Sequence, residues 1–248
     1  MTNKKPLIIG HRGAPIAAGF ENTLESFQKA IELGVDAVEM DIRKTNDNKI
    51  VVFHDSYISG RKLRHLTYKE LNNFTSKQGF SVPLFEDIVE LIAGKVKLDV
   101  EMKEKGYEEK VIDILISKLS YDDFIISSFN FTSLQNVKSL NSQIRTGLIL
   151  GARNTFKLLH LRFKNASQKI TPSDYPFNYL IPHWKIHNLR ILNTPEFESY
   201  PKMIWTVNEE YAIRKLLNEN VEGIITDDSE VAVQLQEKFP DKEPATIQ

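Results

Sequence analysis

The sequence predicts a (β/α)8 barrel. Strand-length apolar runs alternate with helical patterns through 248 residues, a length that suits one large α/β domain. Eight such runs can be placed: Leu7–His11, Ala37–Ile42, Val96–Met102, Phe124–Ser128, Thr146–Leu150, Tyr179–Ile181, Met203–Val207 and Gly223–Thr226. The segments between most of them carry apolar residues at helical spacing. A doubly wound open sheet is the rival. It is disfavoured because no glycine-rich phosphate fingerprint follows the first run.

Each element has a local reason. Residues 23–33 place Leu24, Phe27, Ala30 and Ile31 on one stripe, with Asn22 as N-cap and Gly34 as a stop. Residues 108–119 repeat the pattern with Val111, Ile112, Leu115, Ile116 and Leu119, and residues 209–219 with Tyr211, Ile213, Leu216 and Leu217. A ninth strand-like run, Ile50–His54, follows Ala37–Ile42 too closely for a crossover helix. The two should form an antiparallel hairpin. A turn centred on Asp47 brings His54 and Asp55 back beside Met40 and Glu39. Residues 56–84 then read as a short cap within a single domain spanning 1–248. Helical patterns fall at Leu66–Phe74 and Phe85–Ile92.

Composition narrows the function. The net charge of −1 gives no global electrostatic case for nucleic acid. The chain has no cysteine, which excludes disulfides and thiolate metal sites. No apolar run has the length of a signal core or a membrane span, so a cytoplasmic protein is expected; a secreted form already trimmed of its signal would read the same. Residues 153–169 interleave Arg153, Lys157, Arg162, Lys164 and Lys169 with apolar side chains. They read either as a barrel-covering helix with a basic face or as a weak contact to an anionic membrane surface.

Strand alternation selects the chemistry. In the run from Lys97 to Lys103 the odd positions are charged and the even ones apolar, so Asp99, Glu101 and Lys103 point into the barrel. Glu39, Asp41 and Arg43 do the same. Charges buried in this number need partners, and a cation with an anionic substrate would supply them. Glu39, Asp41 and Glu101 form an all-carboxylate set, which favours one hard divalent cation, Mg2+ or Ca2+. The alternative is an internal salt-bridge layer with Arg43 and Lys103. His11 and His54 end their strands and suit proton transfer near neutral pH. Arg12 and Lys103 suit a phosphate, or else salt bridges. Trp205 shares inward parity with Val207 and would wall a pocket for an alcohol moiety, or simply fill core. Asp55 either orients a histidine or ends the hairpin. His183 and His187 have i, i+4 spacing but no further ligands nearby in sequence.

The motifs His11-Arg12-Gly13, Glu21-Asn22-Thr23, Glu39-x-Asp41, Thr45-x-Asp47, His54-Asp55, Glu101-x-Lys103, Trp205-Thr206-Val207-Asn208 and Gly223-Ile224-Ile225-Thr226-Asp227 occur in that order. Together they resemble the glycerophosphodiester phosphodiesterases over nearly the whole chain. The resemblance implies a TIM barrel with a short inserted cap. It also implies hydrolysis of small glycerophosphodiesters, such as glycerophosphocholine or glycerophosphoethanolamine, to sn-glycerol 3-phosphate and an alcohol. His11 and His54 match the family's general base and acid, Glu39, Asp41 and Glu101 its metal ligands, and Arg12 and Lys103 its phosphate contacts. Phe20 stands where the family usually has proline, and the segment after His54-Asp55 departs from the family's pattern. Two other readings remain at this point: a diesterase acting on lysolipids at membranes, and a non-catalytic glycerophosphodiester-binding protein.

Overall fold

In the computed structural model, which describes residues 5–151 and 175–239, eight parallel strands stand side by side around a barrel. They are β1 (Leu7–His11), β2 (Ala37–Lys44), β6 (Lys97–Met102), β7 (Phe124–Ser128), β8 (Thr146–Leu150), β9 (Tyr179–Pro182), β10 (Met203–Ile204) and β11 (Gly223–Thr226). Three short strands lie outside this ring: β3 (Ile50–Val52), β4 (Tyr57–Ile58) and β5 (Arg61–Lys62). Chain order and neighbour order agree all round the ring, with β11 between β10 and β1 closing it. The ladder is thinnest between β9 and β10. There it consists of bridges at Leu180–Lys202 and His183–Trp205, with Trp205 N donating to Pro182 O at 3.2 Å.

Side-chain parity organises the two sides of this wall. Even-numbered strand residues, such as Ile8, Val38, Met40, Val100, Ile126 and Ile224, pack outward against the helices. Odd-numbered residues, such as Ile9, Ala37, Ile125, Ile149, Ile181 and Ile225, fill the barrel interior. Each fully buried aliphatic side chain contributes roughly 1.5–3 kcal/mol, so slipping one strand by a residue would expose a whole row. Val207 departs from the sequence expectation. It lies beyond the end of β10 and packs on the outer, helix-facing side, whereas Trp205 faces in.

The helix at Leu24–Glu32 is capped by Thr23, whose hydroxyl accepts from Ser26 N at 3.1 Å, and not by Asn22. Asn22 has φ of 54° and turns its side chain into the barrel. The helix at Glu210–Asn218 buries Ala212, Ile213, Leu216 and Leu217 and leaves Tyr211 exposed.

β3 returns antiparallel to β2 with Ile42 opposite Val52 and Lys44 opposite Ile50. The turn is closed by Thr45 N donating to Lys49 O (2.9 Å) and by the Thr45 hydroxyl donating to Asp47 (2.6 Å). Continued by Phe53 N donating to Asp41 O at 2.9 Å, this register sets His54 level with Met40. The following segment packs Ile58, Leu63, Leu66, Leu71 and Val82 in one apolar cluster with Val51 of β3. Its helix, Tyr68–Thr75, starts on a Thr67–Glu70 capping box. Phe80 stacks on Phe20 with centroids 4.9 Å apart, tying this segment to the loop after β1. Residues 153–169, where the basic amphipathic stretch was read, lie outside the described residues. No helix among the described residues is long and apolar enough to cross a membrane.

Candidate active site

The C-terminal ends of β1, β2, β6 and β11 gather the charged residues. His11 closes β1. The chain then turns sharply, because Gly10 and Gly13 allow close backbone approach. A Cβ at Gly10 would come within 2.3 Å of Gly13 O, and one at Gly13 within 2.6 Å of Ser26 C. Arg12 sits in that turn with φ of 56°, a backbone conformation sparsely populated by side-chain-bearing residues. Its backbone N–H donates to Glu39 Oε2 at 3.0 Å, and its guanidinium donates to both carboxylate oxygens of Glu21 at 2.8 and 2.7 Å. Its Nε lies 2.9 Å from Asp41 Oδ2.

One oxygen from each of Glu39, Asp41 and Glu101 lies within 4.8 Å of the others, and all three residues are buried. Lys103 bridges two of them, with Nζ 2.6 Å from Asp41 Oδ1 and 2.7 Å from Glu101 Oε1. Asn22 donates to Asp41 Oδ2 at 2.8 Å. Glu39 Oε1 is buried without any hydrogen-bond partner. Burial, reinforced by Asp41 and Glu101, pushes the Glu39 carboxyl well above its ordinary range. Burial also pushes Glu101 up to about 7 against the pull of Lys103. For Asp41 burial works in the same direction, but Lys103 and Arg12 outweigh it and hold the carboxyl well below the usual range. Asp99, one layer deeper, is pushed up to about 7, chiefly by burial. The expected salt-bridge layer is thus partly present through Lys103. Arg43 takes no part in it, since its Nε donates to His54 O at 2.7 Å and its guanidinium pairs with Glu104.

Two histidines flank the carboxylates. His11 Nδ1 is 2.6 Å from Asp227 Oδ1, and its Nε2 is 3.8 Å from Glu39 Oε2. Asp227 is held in turn by Asn208, whose amide donates to Oδ2 at 2.6 Å. Burial opposes the Asp227 charge, yet His11 and Asn208 hold its carboxyl below the ordinary range. His54 Nδ1 is 2.8 Å from Asp55 Oδ1, so Asp55 contacts a histidine as one of its two readings required. Burial holds the His54 imidazole below its usual value, with Lys103 and Arg12 acting in the same direction and Asp41 against them.

The opposite arc of the mouth is aromatic. Trp205 meets Phe129 edge-on (centroids 5.5 Å apart) and His183 likewise (5.3 Å), while its indole N–H donates to Ile181 O at 2.8 Å. His187 points elsewhere. Its ring contacts Trp184 O, and its Nε2 lies 3.3 Å from Glu219, so His183 and His187 do not converge.

Asp227, Asn208, Glu21, Asn22 and Arg43 each hold a site residue in place, and none was assigned a site role from sequence. The signal for Asp227 was its position. It follows β11, and the register Gly10–Thr226 puts it level with His11.

A barrel whose mouth joins three converging carboxylates, two histidines and two bases is built for phosphoester chemistry. The glycerophosphoryl diester phosphodiesterase family profile matches residues 11–231. A glycerophosphodiester phosphodiesterase from Caldanaerobacter subterraneus subsp. tengcongensis is 28% identical over 255 residues, covering 94% of this chain and 99% of the relative. The crystal structure of the Thermotoga maritima glycerophosphodiester phosphodiesterase aligns with a TM-score of 0.76 at 24% identity, covering 94% and 99% of the two chains. An Oleispira antarctica phosphodiesterase in complex with the product sn-glycerol-3-phosphate aligns with a TM-score of 0.74 at 23% identity, covering 94% and 98%. The chain belongs to the glycerophosphoryl diester phosphodiesterase family, and with it to the phosphodiester hydrolases.

Proposed function

We propose that this protein hydrolyses small glycerophosphodiesters, glycerophosphocholine and glycerophosphoethanolamine among them, to sn-glycerol 3-phosphate and an alcohol. The observation that carries this reading is the buried convergence of Glu39, Asp41 and Glu101 between two histidines. Their oxygens fit a hard divalent cation, and the unpartnered Glu39 Oε1 is the kind of atom such an ion would satisfy. When bound, that cation would supply charge neutralisation for the phosphoryl oxygens.

The chain's own residues do the rest. Arg12 and Lys103 already stand beside the carboxylates and would pair with the phosphate oxygens once substrate enters. The glycerol 2-hydroxyl attacks phosphorus, forming a new O–P bond and breaking the bond to the leaving alcohol. High effective concentration favours this intramolecular route. One histidine takes the hydroxyl proton and the other protonates the departing alkoxide. Water then opens the cyclic phosphate with the two roles exchanged. Burial keeps His54 neutral, which favours it as first acceptor and leaves His11, oriented by Asp227, as donor, the reverse of the order that the resemblance implies. Trp205, with Phe129 and His183, offers the leaving group an apolar wall.

The test is a coupled assay for glycerol 3-phosphate release across several headgroups, with and without Mg2+ and Ca2+. Release from at least one diester, lost in both His11→Ala and His54→Ala, is the expected result. Turnover that survives both substitutions removes the two-histidine mechanism. Binding without release leaves only a binding protein.

A further inference from the structure

The backbone at His54 hangs from one side chain. The β2–β3 ladder ends at Val52, and the hairpin's last main-chain bond is Phe53 N donating to Asp41 O at 2.9 Å. The next along the chain is Leu63 N donating to Ser56 O at 3.0 Å, already within the cap. Between the two, His54 and Asp55 make no backbone–backbone hydrogen bond among the described residues. Their tie to the barrel wall is Arg43 Nε, which donates to His54 O at 2.7 Å.

Arg43 shares inward parity with Glu39 and Asp41, whose carboxylates attract a guanidinium. Glu104 draws it the other way, accepting from Arg43 Nη1. The Arg43 side chain is only 10% exposed, so solvent screens this pair less than a surface one. Glu104 is fixed in turn. Tyr107, itself buried, donates its hydroxyl hydrogen to Ile42 O at 2.8 Å and accepts from Glu104 N at 3.5 Å. That pins the loop after β6 to β2 at the residue before Arg43. A chain of contacts thus runs from Tyr107, at the start of the helix Glu108–Lys118, through Glu104 and Arg43 to His54.

We propose that Glu104 is a positioning residue for His54, acting through Arg43. It touches neither substrate nor the reacting atoms. Its carboxylate sets the direction of the guanidinium fork, and the fork holds the carbonyl that places the His54 ring over the site. Without Glu104, that carbonyl is held by a flexible side chain with no second anchor. The inference rests on the acid–base role proposed for His54.

The experiment measures kcat and KM for glycerol 3-phosphate release, with Mg2+ or Ca2+ present, in Glu104→Ala, Glu104→Gln and Arg43→Met/Glu104→Ala. Lys110→Ala is the control. Lys110 Nζ donates to Asn48 O at 2.8 Å, so it joins the same helix to the hairpin, but at the turn and not at His54. Glu104→Ala should lower kcat about fivefold and leave KM within about threefold of the parent. Glu104→Gln keeps an acceptor for the guanidinium and should recover most of that loss. The double variant should be no slower than Arg43→Met alone, because the two residues act as one unit. Lys110→Ala should keep the parent's kcat. His54→Ala separates the two readings. Full activity there removes the role of His54 and this inference with it; an inactive His54→Ala beside a fully active Glu104→Ala removes this inference alone. The backbone amide signals of His54 and Asp55 need no turnover, and should move in Glu104→Ala but not in Lys110→Ala. The inference is overturned by unmoved amide signals, by a Glu104→Ala kcat within about twofold of the parent, by Glu104→Gln no faster than Glu104→Ala, or by a double variant showing the full product of the two losses.

Discussion

Replacing Asp227 with alanine removes the group that orients His11. The bond at stake is 2.6 Å long and joins a carboxylate to an imidazole that must carry charge during turnover. A hydrogen bond to a charged group is worth about 1.5–3 kcal/mol, and each 1.36 kcal/mol is tenfold in rate, so kcat should fall by roughly 10- to 150-fold. KM should stay within about threefold, because Asp227 is not among the groups placed on the phosphate. Asn208→Ala should produce a smaller loss, since Asp227 keeps its bond to His11 and only loses the amide that steadies it. Initial rates of glycerol 3-phosphate release measure both parameters, and circular dichroism checks the fold. The double variant His11→Ala/Asp227→Ala should be no slower than His11→Ala alone, because the two residues act as one unit. An Asp227→Ala enzyme with kcat within threefold of the parent, or a double variant showing the full product of the two losses, would refute the orienting role.

Further outcomes follow from the same contacts. Dialysis against excess EDTA should abolish turnover, and adding Mg2+ or Ca2+ should restore it; activity that persists through chelation rules out the metal. The acid limb of kcat/KM should lie below pH 6.5. Burial lowers the His54 value, so its neutral, accepting form persists further into acid and is lost as pH falls through the folded-state value. A limb above pH 7, or one unchanged in His54→Gln, contradicts that assignment. Arg43→Met frees the His54 carbonyl from its 2.7 Å bond and should lower kcat about tenfold without changing the far-ultraviolet spectrum. Leu71→Ala hollows the small apolar cluster beyond the hairpin and should cost about 2–5 kcal/mol of stability, read from denaturant midpoints.

Much of this site could be read in one dimension because strand parity is a local rule. With Val96–Met102 read as a strand, Asp99 and Glu101 had to face inward. The five residues between β2 and β3 left no room for a crossover, which fixed where His54 would return. What stayed hidden depends on distant parts of the chain. Asp227 meets His11 only because β11 closes the ring beside β1. Asn22 looked like a helix cap because its neighbour Thr23 is one; the positive φ that turns Asn22 towards Asp41 is set by tertiary contacts. Val207 was misjudged because β10 ends at Ile204, after which alternation no longer governs side-chain direction. Arg43 had the expected parity, yet its fork-shaped donor found a backbone carbonyl on the returning hairpin.

The placement of β11 between β10 and β1 also bears on synthesis. His11 leaves the ribosome 216 residues ahead of Asp227, its partner in the site. At about 5–20 residues per second, the first waits at least ten seconds for the second. Until then β1 has a free edge, and the carboxylates of β2 and β6 stand beside a histidine with nothing to steady it. A growing chain in which β11 has not docked should therefore turn over substrate slowly at best, and chains stalled short of that strand should be open to proteolysis along β1.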